Sequence, residues 1–469
     1  MTANTPPSRH VDLAIIGSGS ANSLPDERFD AVSIAIFEEG AYGGTCLNVG
    51  CIPTKMFVYA ADIADAVADA DRYQVKATFD GVRWPELVAR VFRRSDAISA
   101  GGKHYRVDDC PNITVYSSHV RFDGREEGRY RLVTTAGEVV LASEVVIGAG
   151  ARPDVPAVIA DASIRYYTNN DVMRLPALPR RMAILGSGYI ASEFAHVFAS
   201  LGVAVTLIAR GPALLRKMDG EISRRFTEVA AQKWDVRLNE AMTDATELPD
   251  GTVRLACGDG SHLDVDVLLV ATGRTPNGDR LNLDTIGIEL TDDGRVPTDA
   301  HGRTPARGVW ALGDVCSPYQ LKHVANQEQR TVQANLIKGW DAPDLDSFAH
   351  QYVPAGVFTH PQIATVGLTE ASARAAGYDI AVKIEEYGDV AYGWAMEDTV
   401  GFCKVIADRA TGKLLGVHIM GEQATSIIQP IIGAMTFGIG AHQLARGQYW
   451  IHPALTEVLE NALLGLDLD

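Results

Sequence analysis

The residues most apt for chemistry lie in one short stretch, Gly43-Gly44-Thr45-Cys46-Leu47-Asn48-Val49-Gly50-Cys51-Ile52-Pro53-Thr54-Lys55. A cysteine pair this close can alternate between dithiol and disulfide and so store two electrons. Regular helix geometry opposes that. Cα atoms five residues apart on an α-helix are about 8.6 Å from one another, while a disulfide needs them within roughly 7 Å. If the segment is helical and the cysteines bond, the helix must be distorted between them, and Gly50 and Pro53 are the residues able to distort it. Spacing alone leaves two readings open: a redox couple, or two reduced cysteines buried near a helix start.

Two glycine turns frame the elements that would position this chemistry. Val11 to Ile16 is an apolar run ending in Gly17-Ser18-Gly19-Ser20-Ala21-Asn22, and Ala31 to Phe37 is a second β-rich run closed by Glu38. Strand, glycine turn, helix, strand and terminal acid form a dinucleotide fingerprint, with Gly17 and Gly19 freeing backbone N–H groups for a diphosphate and Glu38 accepting from ribose hydroxyls. One position departs: Asn22 stands where a third glycine normally allows close packing. Pro25 and Asp26-Glu27-Arg28 also make the following helix short and irregular. The second copy is cleaner. Arg181 to Leu185 leads into Gly186-Ser187-Gly188-Tyr189-Ile190-Ala191, a helix through Ala199 and the strand Ala204 to Ile208. After it come Arg210 and Arg216 instead of an acid. An acid there would repel a 2′-phosphate and arginines would grip it, which predicts NADPH over NADH. Two solvated surface arginines are the alternative.

Between these units, Pro85 to Tyr105 reads as a helix and Thr114 to Val146 as turn-rich strands. The junctions at Gly148-Ala149-Gly150-Ala151-Arg152-Pro153 and Gly273-Arg274-Thr275-Pro276 bracket the second unit, as if it were inserted into the first. Val309 to Leu312 is another apolar strand ending in Gly313-Asp314, apt for offering a carboxylate to a ligand hydroxyl. From about Leu345 the pattern changes to five alternating, antiparallel-type strands, followed by helices near Ser426 to Phe437 and Pro453 to Leu464. In the tail, His452 precedes Pro453, and Glu457 stands five positions on, able to reach back to the imidazole. His452 is otherwise an ordinary structural histidine.

Length and charge bound the rest. The 469 residues exceed what one core serves, and two to four domains are expected. A net charge of −17 argues against nucleic-acid or anionic-membrane partners. Only six cysteines occur, and Cys110, Cys257, Cys316 and Cys403 are scattered singly, which fits a reducing cytoplasm with one special pair. Met1 to His10 lacks the apolar core of a signal peptide. The apolar window Ala424 to Ala441 is interrupted by Ser426, Gln429 and Pro430, as in a buried helix, not a membrane span. No metal-ligand cluster is expected.

Taken together, Cys46–Cys51, both glycine turns, Gly313-Asp314 and His452…Glu457 resemble, in order and over nearly the whole length, the class I pyridine nucleotide–disulfide oxidoreductases. That family includes glutathione reductase and dihydrolipoamide dehydrogenase. Asn22, the run Lys55-Met56-Phe57-Val58-Tyr59-Ala60-Ala61 and the tail Tyr449-Trp450-Ile451-His452-Pro453-Ala454-Leu455-Thr456-Glu457 resemble the branch that reduces the disulfide of an actinobacterial low-molecular-weight thiol. The resemblance implies an α/β fold with two Rossmann-like dinucleotide-binding domains, the NADPH domain (151–274) inserted in an FAD domain (1–150 and 275–344). A C-terminal α+β dimerisation domain (345–469) completes it.

The resemblance further implies FAD on Gly17, Gly19, Glu38, Gly44, Thr45, Lys55, Gly313 and Asp314. NADPH is implied on Gly186, Gly188, Tyr189, Ile190, Glu193, Arg210, Arg216 and Gly273. Lys55 would lie near the flavin N5 and pair with Glu193, and Tyr189 would cover the flavin until nicotinamide arrives. Cys51 would be the sulfur nearer the flavin and Cys46 the thiol that exchanges with substrate. His452 of the partner subunit in a homodimer, held by Glu457, would serve as acid and base.

Rival members fit less well. Dihydrolipoamide dehydrogenase normally uses NAD and carries an acid where Arg210 stands. Mercuric reductase and high-molecular-weight thioredoxin reductase need a C-terminal thiol pair, whereas the last cysteine here is Cys403. A non-catalytic, redox-sensing flavoprotein would be favoured by loss of Cys46, Cys51 or His452, and all three are present.

Overall fold

The computed structural model describes residues 8–468. Met1 to Pro7, most of the polar stretch in which no signal sequence is expected, and Asp469 lie outside them. The chain divides into two compact units: Met1–Met56, Pro85–Asp154 and Arg274–His350 form one, and Phe57–Trp84, Val155–Gly273 and Gln351–Asp469 the other.

The first unit is built on a seven-stranded sheet. Ile113–Tyr116, Ile34–Phe37, Arg9–Ile16 and Val139–Ile147 run parallel, and Val309–Ala311 pairs parallel with the last of these. Arg129–Thr134 and Val120–Glu126 extend the sheet antiparallel. Ile34–Phe37 and Val309–Ala311 are buried at every position, as near-continuous apolar runs must be when both faces are covered. The chain leaves and returns through a two-stranded ribbon in which Ala151–Pro153 pairs with Arg274–Pro276. Helix Cys51–Ala68 starts in this unit and continues in the other.

The second unit holds three sheets. Asp235–Leu238, Ala204–Ala209, Arg181–Leu185 and Val267–Val270 form a parallel sheet behind the second glycine turn. A three-stranded antiparallel sheet flanks it in the chain. The C-terminal strands make a five-stranded antiparallel sheet in the order Ala355–Val357, Gln362–Gly367, Leu414–Gly421, Phe402–Asp408, Ile380–Glu386. Residues 57–84 belong here because Trp84 donates to the Leu175 carbonyl at 2.7 Å and lies between the rings of Phe57 and Phe198. His196 adds a 2.8 Å bond to Asp62.

Three sequence expectations are corrected. No α-helix follows the first glycine turn; two 3-10 turns, Ser20–Ser23 and Glu27–Phe29, stand there instead. Pro25 brings no N–H, and the Asp26 carboxylate accepts from Arg28 N at 3.0 Å, which favours a turn over helix continuation. The helix expected over Ser426 to Phe437 is two, Ala424–Ile427 and Gln429–Thr436, with Pro430 in the first turn of the second. The last helix begins at Glu457, not Pro453, because the Glu457 carboxylate accepts from Ala454 N and closes a separate turn before it. Among the described residues no helix is long and apolar enough to cross a membrane, and no metal-binding cluster occurs.

One buried ion cluster secures the second unit. Asp219, fully buried at the start of helix Gly220–Lys233, meets Lys404 of the C-terminal sheet at 2.8 Å, and Lys404 also meets Glu370 at 2.8 Å. Burial alone would raise the Asp219 carboxyl; hydrogen bonds from Lys404 and the Glu370 and Glu221 amides outweigh it and hold the group below its ordinary value. A depressed carboxyl contributes stability above its unfolded pKa, about 3.9, and loses it as pH falls through the lower folded value. We expect Asp219→Ala to destabilise the protein by about 2–4 kcal/mol at neutral pH in urea unfolding, since Lys404 keeps only Glu370. The gap to wild type should shrink below about pH 4.

Candidate active site

The cysteine stretch is two helices, not one. Gly44–Asn48 carries Cys46, Val49 leaves helical geometry (φ −144°, ψ 21°), and Cys51 is the first residue of Cys51–Ala68. The break has local causes. Val49 N makes the last bond of the first helix, to Thr45 O at 2.9 Å. A side chain at Gly50 would come within 2.9 Å of that same carbonyl. Thr54 then starts the second helix with N and Oγ1 on Gly50 O, at 3.0 and 2.7 Å. Buried Asn48 pins the approach, its Nδ2 donating to the carbonyls of Ala41, Tyr42 and Gly44. The outcome is that the thiols of Cys46 and Cys51 hydrogen-bond to each other. Both are reduced in this structure.

The pair has unequal affinity for protons. The hydrogen bond from Cys46, then Lys55 one turn along the helix, then Lys322, pull the Cys51 thiol down to about 7 against the cost of burial. The same hydrogen bond pushes the Cys46 thiol strongly up, helped by burial. One proton and one negative charge are thus shared, with the charge on Cys51.

The first glycine turn abuts the cysteine helices. A Cβ on Gly44, at φ +73°, would stand 2.7 Å from Gly19 Cα, so the backbone of the turn requires a glycine at 44. Gly17, at φ +102°, has the Gly148 carbonyl 2.3 Å from where a Cβ would be. Glu38, at the end of strand Ile34–Phe37, takes Ser18 N at 3.0 Å and Ser18 Oγ at 2.6 Å on one oxygen and Gly40 N on the other. Ser18 Oγ also accepts from Gly43 N at 2.8 Å, joining the turn to the cysteine stretch. Past strand Val309–Ala311, Gly313 N donates to the fully buried Glu328 at 2.6 Å, and Glu328 also holds His350 at 2.7 Å. Burial pushes the neighbouring Asp314 carboxyl up, against the pull of Arg274 and Lys322. Side-chain-free turns at Gly17 and Gly19, with carboxylates at Glu38 and Asp314, form a donor and acceptor set that fits FAD: amides for a diphosphate, acids for sugar hydroxyls.

In the second unit Gly186, at φ +140°, has the Ala271 carbonyl 2.2 Å from where a Cβ would be, and Gly188 caps helix Tyr189–Ser200 with open space around it. Tyr189 is exposed beside this helix start. Glu193 is buried and accepts from Phe358 N at 3.0 Å. Arg210 and Arg216 are both exposed after strand Ala204–Ala209, and the Arg216 guanidinium packs over Gly211, where a Cβ would lie 2.5 Å from Cζ. Neither has a carboxylate partner among the described residues. Gly273 is exposed at the end of this segment. The set fits a nicotinamide dinucleotide. His452 also lies in this unit: its Nδ1 is 2.7 Å from Glu457 Oε1, and its side chain is 71% exposed. Glu457 fixes the tautomer with Nε2 as the free nitrogen.

Several residues that matter here carry no signal in the sequence. Asn48, Lys322 and Glu328 act through contacts that spacing does not reveal. Tyr105 is a surface tyrosine, exposed at the start of the π-helical turn Tyr105–Asp109.

Comparison with known proteins agrees with this geometry. The profile of the pyridine nucleotide-disulphide oxidoreductases matches residues 11–329, and that of their dimerisation domain residues 353–463. The chain is 55% identical over 457 residues to the mycothione reductase of Mycobacterium tuberculosis, covering 97% of this chain and 99% of that protein. It is 31% identical to the glutathione reductase of Burkholderia cepacia, over 90% of this chain and 92% of that protein. Among solved structures, the HOCl-induced flavoprotein disulfide reductase RclA of Escherichia coli superposes with a TM-score of 0.82 at 26% identity, covering 97% and 99% of the two chains. With two glycine turns, a hydrogen-bonded cysteine pair and matches over nearly its whole length, the chain belongs to the pyridine nucleotide-disulphide oxidoreductase family, enzymes that use FAD and a nicotinamide dinucleotide.

Proposed function

We propose that this enzyme is an NADPH-dependent reductase of mycothione, the disulfide of mycothiol, working as a cytoplasmic homodimer. The hydrogen-bonded Cys46–Cys51 couple, with its charge on Cys51, carries the reading. The 55% identity to a mycothione reductase supports the substrate. Arg210 and Arg216, exposed and with no carboxylate partner among the described residues, support the 2′-phosphate of NADPH. The chemistry that FAD supplies when bound is to take two electrons from NADPH and release them to sulfur.

The chain's own residues do the rest. Opening of the S–S bond takes two electrons and one proton; the proton ends on Cys46 and the negative charge on Cys51 near Lys55. Cys46 is the exchange thiol: His452 of the partner subunit takes its proton, and the Cys46 sulfur attacks one sulfur of mycothione. A mixed disulfide forms, and the departing mycothiol takes the proton from that histidine. Glu457 holds Nδ1, leaving Nε2 to carry the proton. Cys51 then attacks Cys46, restores the disulfide and releases the second mycothiol, which takes up a second proton.

The direct test is NADPH oxidation with mycothione, glutathione disulfide and lipoamide offered side by side; faster turnover of either of the last two overturns the substrate assignment. Cys46→Ser should abolish turnover of mycothione while NADPH still bleaches the flavin absorbance. Arg210→Glu should lower kcat/KM for NADPH by roughly tenfold or more and narrow the preference over NADH, as expected for a lost charge-assisted phosphate contact. In the reduced enzyme one thiol should react with iodoacetamide along a pH curve centred near the value of about 7 drawn for Cys51. The thiolate forms above that pH, so reaction accelerates as pH rises. Lys55→Met should move the curve upward.

A further inference from the structure

The first glycine turn lacks the helix that normally completes such a site. In a dinucleotide fold, that helix start brings about half a positive charge to the diphosphate. Here the turn opens onto the four-residue 3-10 helix Ser20–Ser23, whose few peptide dipoles sum to much less. Loss of the helix also leaves backbone carbonyls without intrahelical donors.

Four consecutive carbonyls, Asn22 to Pro25, are met by side chains instead. Arg106 Nη2 donates to Asn22 O at 2.6 Å and Pro25 O at 3.1 Å. Gln329 Nε2 takes Ser23 O at 3.1 Å, and Gln333 Nε2 takes Leu24 O at 2.7 Å. Both glutamines lie on helix Lys322–Lys338. With Lys322 and Asn326 they make one stripe, spaced by four, three and four residues, that faces the substituted segment. The stripe ends at the glycine turn. Lys322 Nζ donates to Ser20 Oγ at 2.8 Å, and Ser20 Oγ to Asn326 Oδ1 at 3.1 Å. Lys322 forms no ion pair among the described residues, so a full positive charge stands beside the turn on a neutral hydroxyl.

We propose that Lys322 holds the diphosphate of FAD at the first glycine turn, supplying with an ammonium group the charge that a helix start supplies in an ordinary dinucleotide fold. Asn326, Gln329 and Gln333 are the positioning residues that fix the turn against the same helix. The charge also reaches Asp314 and the cysteine pair, each of whose acidities it increases. This rests on FAD as cofactor of the first unit, not on which disulfide is reduced.

The test uses the holoenzyme and follows FAD release, read as flavin fluorescence after dilution, together with FAD content per chain after dialysis. Lys322→Met and Lys322→Gln should release FAD about tenfold faster or more, the loss expected of one charge-assisted contact, and Lys322→Arg should stay within about threefold of wild type. Added KCl should accelerate release from wild type and much less from the two neutral variants, because the screened charge is gone. The visible flavin spectrum should not move. Wild-type release rates in Lys322→Met and Lys322→Gln, with normal circular dichroism, overturn the proposal. So does a shifted flavin spectrum with unchanged salt dependence, which would put Lys322 on the ring system. Failure of wild type to hold FAD would sink the cofactor assignment itself, whereas a wrong substrate shows only in the turnover assay.

Discussion

Two thiols five residues apart can share a hydrogen bond only if the helix that carries them stops between them. Three nearby residues enforce that stop. Gly50 has no room for a side chain against Thr45 O, Thr54 reuses the Gly50 carbonyl to restart the helix, and Asn48 collects three carbonyls so that the preceding loop stays closed. An uninterrupted helix would satisfy more backbone hydrogen bonds but keep the sulfurs apart. The chain gives up those bonds and replaces them with side-chain ones.

The same exchange recurs at the first glycine turn. There the helix is missing altogether, and Arg106, Gln329 and Gln333 supply the donors that helical N–H groups would have supplied. Asn22, which departs from the usual glycine, is part of that solution: its side-chain oxygen accepts from Tyr42 OH at 2.6 Å and from Arg106 Nε at 3.2 Å. Tyr42 is thereby a buried donor, its pKa pushed up to about 12 chiefly by burial. A side chain that looks like a defect in the fingerprint is a hydrogen-bonded fixture of the folded turn.

The electrostatics are local and cationic in a chain whose net charge is −17. Lys55 and Lys322 act on the cysteine pair, and Arg274 stands 3.9 Å from Asp314. A negatively charged protein can still hold anionic cofactors, because charges within a few ångströms in a poorly solvated site outweigh distant ones screened by salt. Burial and pairing, not net charge, decide the protonation of sulfur.

Sequence by itself determined what is local. The glycine turns, Glu38 twenty residues past Ser18, the cysteine spacing with Gly50 between, and Glu457 five residues past His452 are relations along the chain, and backbone geometry turns each into a definite contact. It also marked Asn22 and Pro25 as irregular, although it still placed a helix there. Only the tertiary structure decided that Lys322 meets Ser20 across 302 residues, that Arg106 caps the carbonyls of residues 22 and 25, and that residues 57–84 pack against His196 and Phe198 of the helix after the second glycine turn. Those contacts depend on which helix face the packed core leaves turned toward the site. A lysine, an arginine and two glutamines read in sequence as solvated surface until burial deprives the carbonyls beside them of water.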